Sequence, residues 1–110
     1  MKPVKWIGSS KRDIAEFPID ARREAGNQLF LVQSGLEPRD WKPMPTVGAG
    51  VNEIRVQADG QWRVLYVAKL AGAVYVLHAF GKKTQRTAKA DIDMATKRYC
   101  DLLNELKTAK

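Results

Sequence analysis

The sequence predicts an α+β protein: an antiparallel sheet made of an N-terminal strand and a three-stranded meander, packed with an N-terminal helical hairpin and a C-terminal helix. Three observations carry that reading. Alternating and then nearly unbroken apolar segments run from Val51 to Phe80, interrupted by an Asp-Gly turn signal. A stripe of apolar residues recurs at helical spacing near the C-terminus, and two consecutive helical segments meet at Pro18. With 110 residues, the chain suits one domain spanning positions 1–110 and is too short for two separate cores.

The elements follow in order. Lys2 to Ile7 alternates, with Val4 and Trp6 on one face, and predicts a short strand. Ser9-Ser10-Lys11-Arg12-Asp13 reads as a helix start, with Ser10 placed to accept from a free backbone N–H and Asp13 near the positive end of the helix dipole. Ile14 and Phe17 share a face of this first helix. A second helix is expected from Pro18 to about Ser34, with Ala21, Ala25, Leu29 and Val32 as its apolar stripe, widened by Phe30 and Leu31, and Gly35 as its C-terminal stop. Pro38, Pro43, Pro45, Gly48 and Gly50 then predict an irregular segment from Leu36 to Val51, pinned to the core by Trp41, Met44 and Val47.

Val51 to Gln57 alternates and predicts a strand that turns at Ala58-Asp59-Gly60. Trp62 to Ala68 and Ala73 to Phe80 read as central strands buried on both faces, joined through Leu70-Ala71-Gly72. The last helix, about Ala88 to Lys107, carries Ile92, Ala95, Tyr99, Leu102, Leu103 and Leu106 on one face. Cys100 borders that stripe and is expected to be buried as a small hydrophobe.

Charge narrows the function. Nineteen Lys and Arg against twelve Asp and Glu give a net charge of +7, a surface field that favours polyanions, nucleic acid first. One cysteine and one histidine cannot build an intramolecular disulfide or a Cys/His zinc site. No apolar run is long enough to span a bilayer, and the N-terminus lacks the pattern of a signal peptide. The expectation is a small cytoplasmic protein with no membrane association.

The basic residues cluster. Arg55 and Arg63 sit inside strands, while Lys82, Lys83, Arg86 and Lys89 follow the third meander strand with no acid before Asp91. Antiparallel neighbours could bring Arg55, Arg63 and the Lys82–Arg86 segment together near one face of the sheet, as a hollow without carboxylates that holds phosphates. The alternative is structural, with Glu53 or Asp59 pairing with Arg55 or Arg63. Gly81-Lys82-Lys83-Thr84 lacks the upstream glycine of a phosphate loop, and Val76 stands there instead. Strand alternation puts His78 on the same side as Val76 and Phe80, and Tyr66 on the face opposite Arg63.

Trp62-Arg63-Val64-Leu65-Tyr66 and Val74-Tyr75-Val76-Leu77-His78-Ala79-Phe80-Gly81-Lys82-Lys83-Thr84-Gln85 together resemble the RelE/HigB superfamily of toxins, closest to its phage-related HigB-like branch. Glu53-Ile54-Arg55, the helical hairpin before Gly35 and Ala95 to Tyr99 fit the same resemblance. It implies a RelE-like fold and the toxin of a type II toxin–antitoxin system. The activity implied is a metal-independent, cofactor-free mRNA endoribonuclease that acts at the ribosome through 2′-hydroxyl attack on the adjacent phosphate. The implied partners are mRNA, the ribosome and a neutralising helix-turn-helix antitoxin of the HigA-like kind.

Carried over by position, Arg63 and Lys83 stabilise the phosphate and transition state. Arg55, Lys82 and Arg86 bind RNA, and His78 serves in proton transfer or base stacking. Thr84 to Ala90 lacks the tyrosine that the prototype RelE pattern carries there, so the general base stays open, with Tyr66 or Tyr99 as substitutes only if one points into the cleft. A ParE-like gyrase inhibitor and a non-catalytic nucleic-acid or phage-assembly binding module on the same fold are the alternatives.

Overall fold

The computed structural model describes residues 1–70, 72–83 and 86–108. Ala71 of the expected meander connection and Thr84-Gln85 of the strand-end motif lie outside the described residues. The elements are β1 (Val4–Trp6), α1 (Ser10–Ala15), α2 (Ile19–Gln33), β2 (Trp41–Pro43), β3 (Val51–Gln57), β4 (Gln61–Val67), β5 (Val74–Gly81) and α3 (Lys89–Thr108). They form the expected α+β architecture around one five-stranded sheet of order β1-β5-β4-β3-β2.

Two features of the sheet differ from expectation. β1 pairs with β5 in parallel, so the sheet is mixed: a strand separated from its neighbour by most of the chain is not constrained to antiparallel pairing by a short turn. Trp41-Lys42-Pro43, inside the segment expected to be irregular, forms an edge strand against Asn52 to Ile54. Pro43 is tolerated there because it sits at the end of an edge strand.

The sheet is covered on both faces. Ile54, Val56, Val64, Tyr66, Val74 and Val76 pack with Ile14, Phe17, Ala21, Ala25, Leu29 and Val32 of the α1–α2 hairpin. Val51, Leu65, Val67, Tyr75 and Leu77 pack with Ala95, Tyr99 and Leu102 of α3, together with Met44 and Val47 of the loop. This burial of β4 and β5 on both faces explains their continuous apolar sequence.

Some side chains depart from the sequence reading. Ser9, not Ser10, holds the N-cap position of α1, its hydroxyl donating to Asp13 Oδ2 at 2.8 Å rather than accepting from a backbone N–H, and the Ser10 hydroxyl donates across to the Val76 carbonyl at 3.1 Å. Phe30 is 53% exposed and does not widen the α2 stripe. Gln28 takes the inner face in its place. Its amide donates to the Arg55 carbonyl and accepts from the Asp40 N–H, so a polar side chain is buried with its hydrogen bonds satisfied. Cys100 is exposed, one position past the buried Tyr99.

A β-bulge in β5 decides which face of the sheet His78 occupies. Leu65 faces His78 and Tyr66 faces Val76, which leaves Leu77 as the extra residue. Leu77 and His78 therefore both lie on the α3 side, and His78 is on the face opposite Val76, contrary to simple alternation.

Packing around α3 gives a direct stability test. A Cβ added at Gly48 would run into the Tyr99 ring, whereas one added at Gly26 on the exposed side of α2 would meet nothing. Gly48→Ala is expected to lose about 1–3 kcal/mol in urea unfolding. Gly26→Ala is expected to gain about 0.5–1 kcal/mol.

Candidate nucleic-acid interface

The cationic cluster starts from strand register. Arg55 lies directly opposite Arg63, Lys42 opposite Glu53, and Phe80 opposite Arg63. Two guanidiniums facing each other across a ladder repel, so the arrangement needs anions. Glu53 Oε1 stands 3.6 Å from Arg63 Nε and 3.9 Å from Lys42 Nζ, and Asp40 Oδ1 stands 3.9 Å from Arg55 Nη1. The Thr87 hydroxyl donates to Glu53 Oε2 at 3.0 Å.

Glu53 is fully buried, and Arg63 is 6% exposed. The approaches of Lys42 and Arg63 to Oε1 are too long for hydrogen bonds, and Glu53 Oε1 and Arg63 Nε are buried without one. Arg63 directs its outer nitrogen to the Trp62 carbonyl at 2.9 Å. Burial holds the Arg63 guanidinium below its usual range, with Arg55 adding to that effect and Glu53 opposing it. The Lys82 ammonium is lowered in the same way, by burial first and then by Arg63.

The expected acid-free hollow is thus corrected. Arg55, Arg63 and Lys82 do converge at one end of the sheet, but around Glu53, with Asp40 beside Arg55. Four cations, Lys42, Arg55, Arg63 and Lys82, stand around Glu53 and Asp40.

Above this inner layer lies an outer one. Phe80, Gly81, Lys82, Lys83, Arg86, Ala88 and Asp91 line a hollow of about 230 Å³, with Lys83 and Arg86 exposed. The backbone N–H of Lys82 donates to the Gln61 carbonyl at 2.7 Å, which fixes the hollow's edge to β4.

His78 stacks on Phe80 with ring centres 5.0 Å apart. Its Nε2 lies 2.7 Å from Asp91 Oδ1, and its Nδ1 lies 3.5 Å from Arg98 Nη1. Arg98 also donates to the Leu77 carbonyl at 3.0 Å and to the Ser9 hydroxyl at 3.1 Å. Gly8 makes room for it: a Cβ there would lie 2.6 Å from Arg98 Nε, and its φ of +57° suits glycine. Both His78 nitrogens are therefore engaged, Nε2 with Asp91 and Nδ1 with Arg98.

Neither tyrosine substitute reaches this end. Tyr66 is buried on the α1–α2 face, where burial raises its hydroxyl pKa and a hydrogen bond with Asn52 opposes the rise. The Tyr99 hydroxyl is held by the Ala49 carbonyl at 2.6 Å. Sequence reasoning missed Lys42, Thr87, Asp91 and Arg98 as members of the site. Lys42 sat in a stretch read as loop, and the other three are brought in only by tertiary packing. Among the described residues, no cluster of His, Cys, Asp and Glu could hold a metal ion, and no helix is long and apolar enough to cross a membrane.

A small basic α+β sheet protein with this strand order and a cation-rich sheet end fits the RelE-like class. The sequence model of the phage-derived Gp49-like proteins (DUF891) matches residues 12–100, and the chain belongs to that family, a RelE/toxin-like group associated with toxin–antitoxin toxins in general. No curated protein matches the chain.

The buried ion cluster predicts strong coupling. Arg63→Ala leaves Glu53 buried without its nearest guanidinium and is expected to cost about 3–5 kcal/mol, and Glu53→Leu leaves Arg63 in the same position. The double variant Glu53→Leu/Arg63→Met is expected to recover much of that loss in a chemical-denaturation double-mutant cycle.

Proposed function

We propose that this protein is the toxin of a type II toxin–antitoxin pair in the HigB-like branch: a ribosome-dependent mRNA endoribonuclease, held inactive by a helix-turn-helix antitoxin. The observation that carries the reading is the two-layer cation cluster, with Lys82, Lys83 and Arg86 at an accessible hollow above the buried Arg63–Glu53 group. RNA cleavage by its own 2′-hydroxyl asks a protein for three things: an in-line ribose, charge neutralisation on the phosphorane, and proton transfer.

In this reading Lys83 and Arg86 contact the phosphate directly. Lys82 and Arg55, both partly exposed, steer and hold the RNA backbone. Arg63 lies too deep for a first contact and acts through its positive field on the phosphorane. His78, engaged on both nitrogens, supports the Phe80 ring and fixes Asp91.

Arg63→Ala is a poor functional probe because it also unfolds the buried cluster, so the test falls on the exposed cations. Lys83→Ala is expected to reduce cleavage of cellular messages about a hundredfold, read by primer extension after induction. The fold should be unchanged by circular dichroism. Each lysine removed from the hollow should lower the salt slope of single-stranded RNA binding by about 0.7. Wild-type protein that arrests growth through inhibited gyrase supercoiling, with messages intact, would overturn the nuclease reading.

Lys82 adds a pH signature. Its lowered pKa means its charge is lost at lower pH than an ordinary lysine's, so RNA affinity should begin to fall earlier on the alkaline side. Lys82→Arg should remove that early fall in an anisotropy titration.

A further inference from the structure

The geometry points to the hollow over Phe80 as a nucleobase pocket, in which Asp91 accepts a hydrogen bond from a base carrying an exocyclic amino group and thereby discriminates against uracil. The inference rests on the proposed RNA-cleaving function and deepens it.

Size is the first support. At about 230 Å³ the hollow is smaller than the about 300–1,000 Å³ of sites for drug-sized ligands, and suits one planar ring rather than a whole nucleotide. Its wall supplies an aromatic side chain, the usual platform for an unstacked base. Phe80 is held in place by His78 stacked behind it, so a base entering the hollow meets a ring already ordered. The phosphate flanking that base would fall among Lys82, Lys83 and Arg86, which line the same hollow.

Asp91 is the second support. Asp91 stands in the wall of the hollow beside Lys82, Lys83 and Arg86. Its Oδ1 is held by His78 Nε2 at 2.7 Å, and the side chain remains 26% exposed. The hollow's wall thus includes a part-exposed carboxylate, and a carboxylate can only accept. The C4 amino group of cytosine and the C6 amino group of adenine can donate to it, whereas uracil presents a carbonyl at the matching position.

Arg98 completes the arrangement as a positioning residue. By donating toward His78 Nδ1 it keeps Nε2–H as the donor to Asp91, and through Leu77 and Ser9 it ties that ring to the bulge and to the start of α1. The acceptor character of the pocket is thus set by a chain of contacts from α1 to α3.

The test uses the full-length protein and labelled hexamers of oligo(C), oligo(A) and oligo(U), with affinities read by fluorescence anisotropy. Oligo(U) is expected to bind about tenfold more weakly than oligo(C). Asp91→Asn, which keeps the acceptor for His78 but places an amide donor at the second position, should narrow that gap or reverse it. Lys83→Ala should weaken all three ligands alike. Phe80→Leu should weaken oligo(C) and oligo(A) through lost stacking, and circular dichroism checks that the variants are folded.

Equal affinity for the three hexamers, an unchanged gap in Asp91→Asn, or no RNA binding at all would each overturn the pocket. Base preference without cleavage of cellular messages would sink the nuclease reading and leave the pocket standing. Cleavage without base preference would do the reverse.

Discussion

One buried carboxylate holds the cationic end of this sheet together. Glu53 lies at zero exposure where β2, β3 and β4 meet the stretch before α3. A lone buried carboxylate costs several kcal/mol, and here the cost is offset by Lys42, Arg63 and the Thr87 hydroxyl. The relation is reciprocal. Without Glu53, the opposed Arg55 and Arg63 would repel across the ladder, and Arg63 would be a buried cation with only backbone and amide partners. The cluster therefore has an inner part that is close to balanced and fixed, and an outer part, Lys82, Lys83 and Arg86, that lines the hollow. Rigidity comes from the first and polyanion attraction from the second.

The β5 bulge has a comparable role on the other side of the hollow. By inserting Leu77 it turns His78 to the face of α3, where Asp91 and Arg98 receive it. The Arg98 guanidinium then bonds the carbonyl of the bulged residue itself, so the irregularity is held from across the sheet.

Much of the architecture was legible. The period-two pattern of β3, the continuous apolar runs of β4 and β5, and the stripe of α3 each name their element and its buried face. What was not legible had specific causes. β2 was hidden because three prolines and two glycines argue against regular structure, and only an edge position lets Pro43 take part. The side of His78 could not be read because a bulge leaves no mark in the alternation of apolar residues. Gln28 was passed over as polar although its amide replaces missing backbone partners. In the site, the convergence of Arg55, Arg63 and Lys82 followed from antiparallel pairing. The acid among them was visible as a candidate partner, but its full burial depends on Thr87 and Lys42, which come from distant parts of the chain.

The margins of the sheet carry a last consequence. β2 is three residues long and ends in Pro43, which has no N–H to give. At the opposite margin β1 is equally short, and Gln33 at the end of α2 already occupies the backbone of Lys2 on both its donor and its acceptor. A molecule built this way offers almost no ladder for strand addition, either to copies of itself or to another polypeptide. Both margins are thereby blunted against edge-to-edge association.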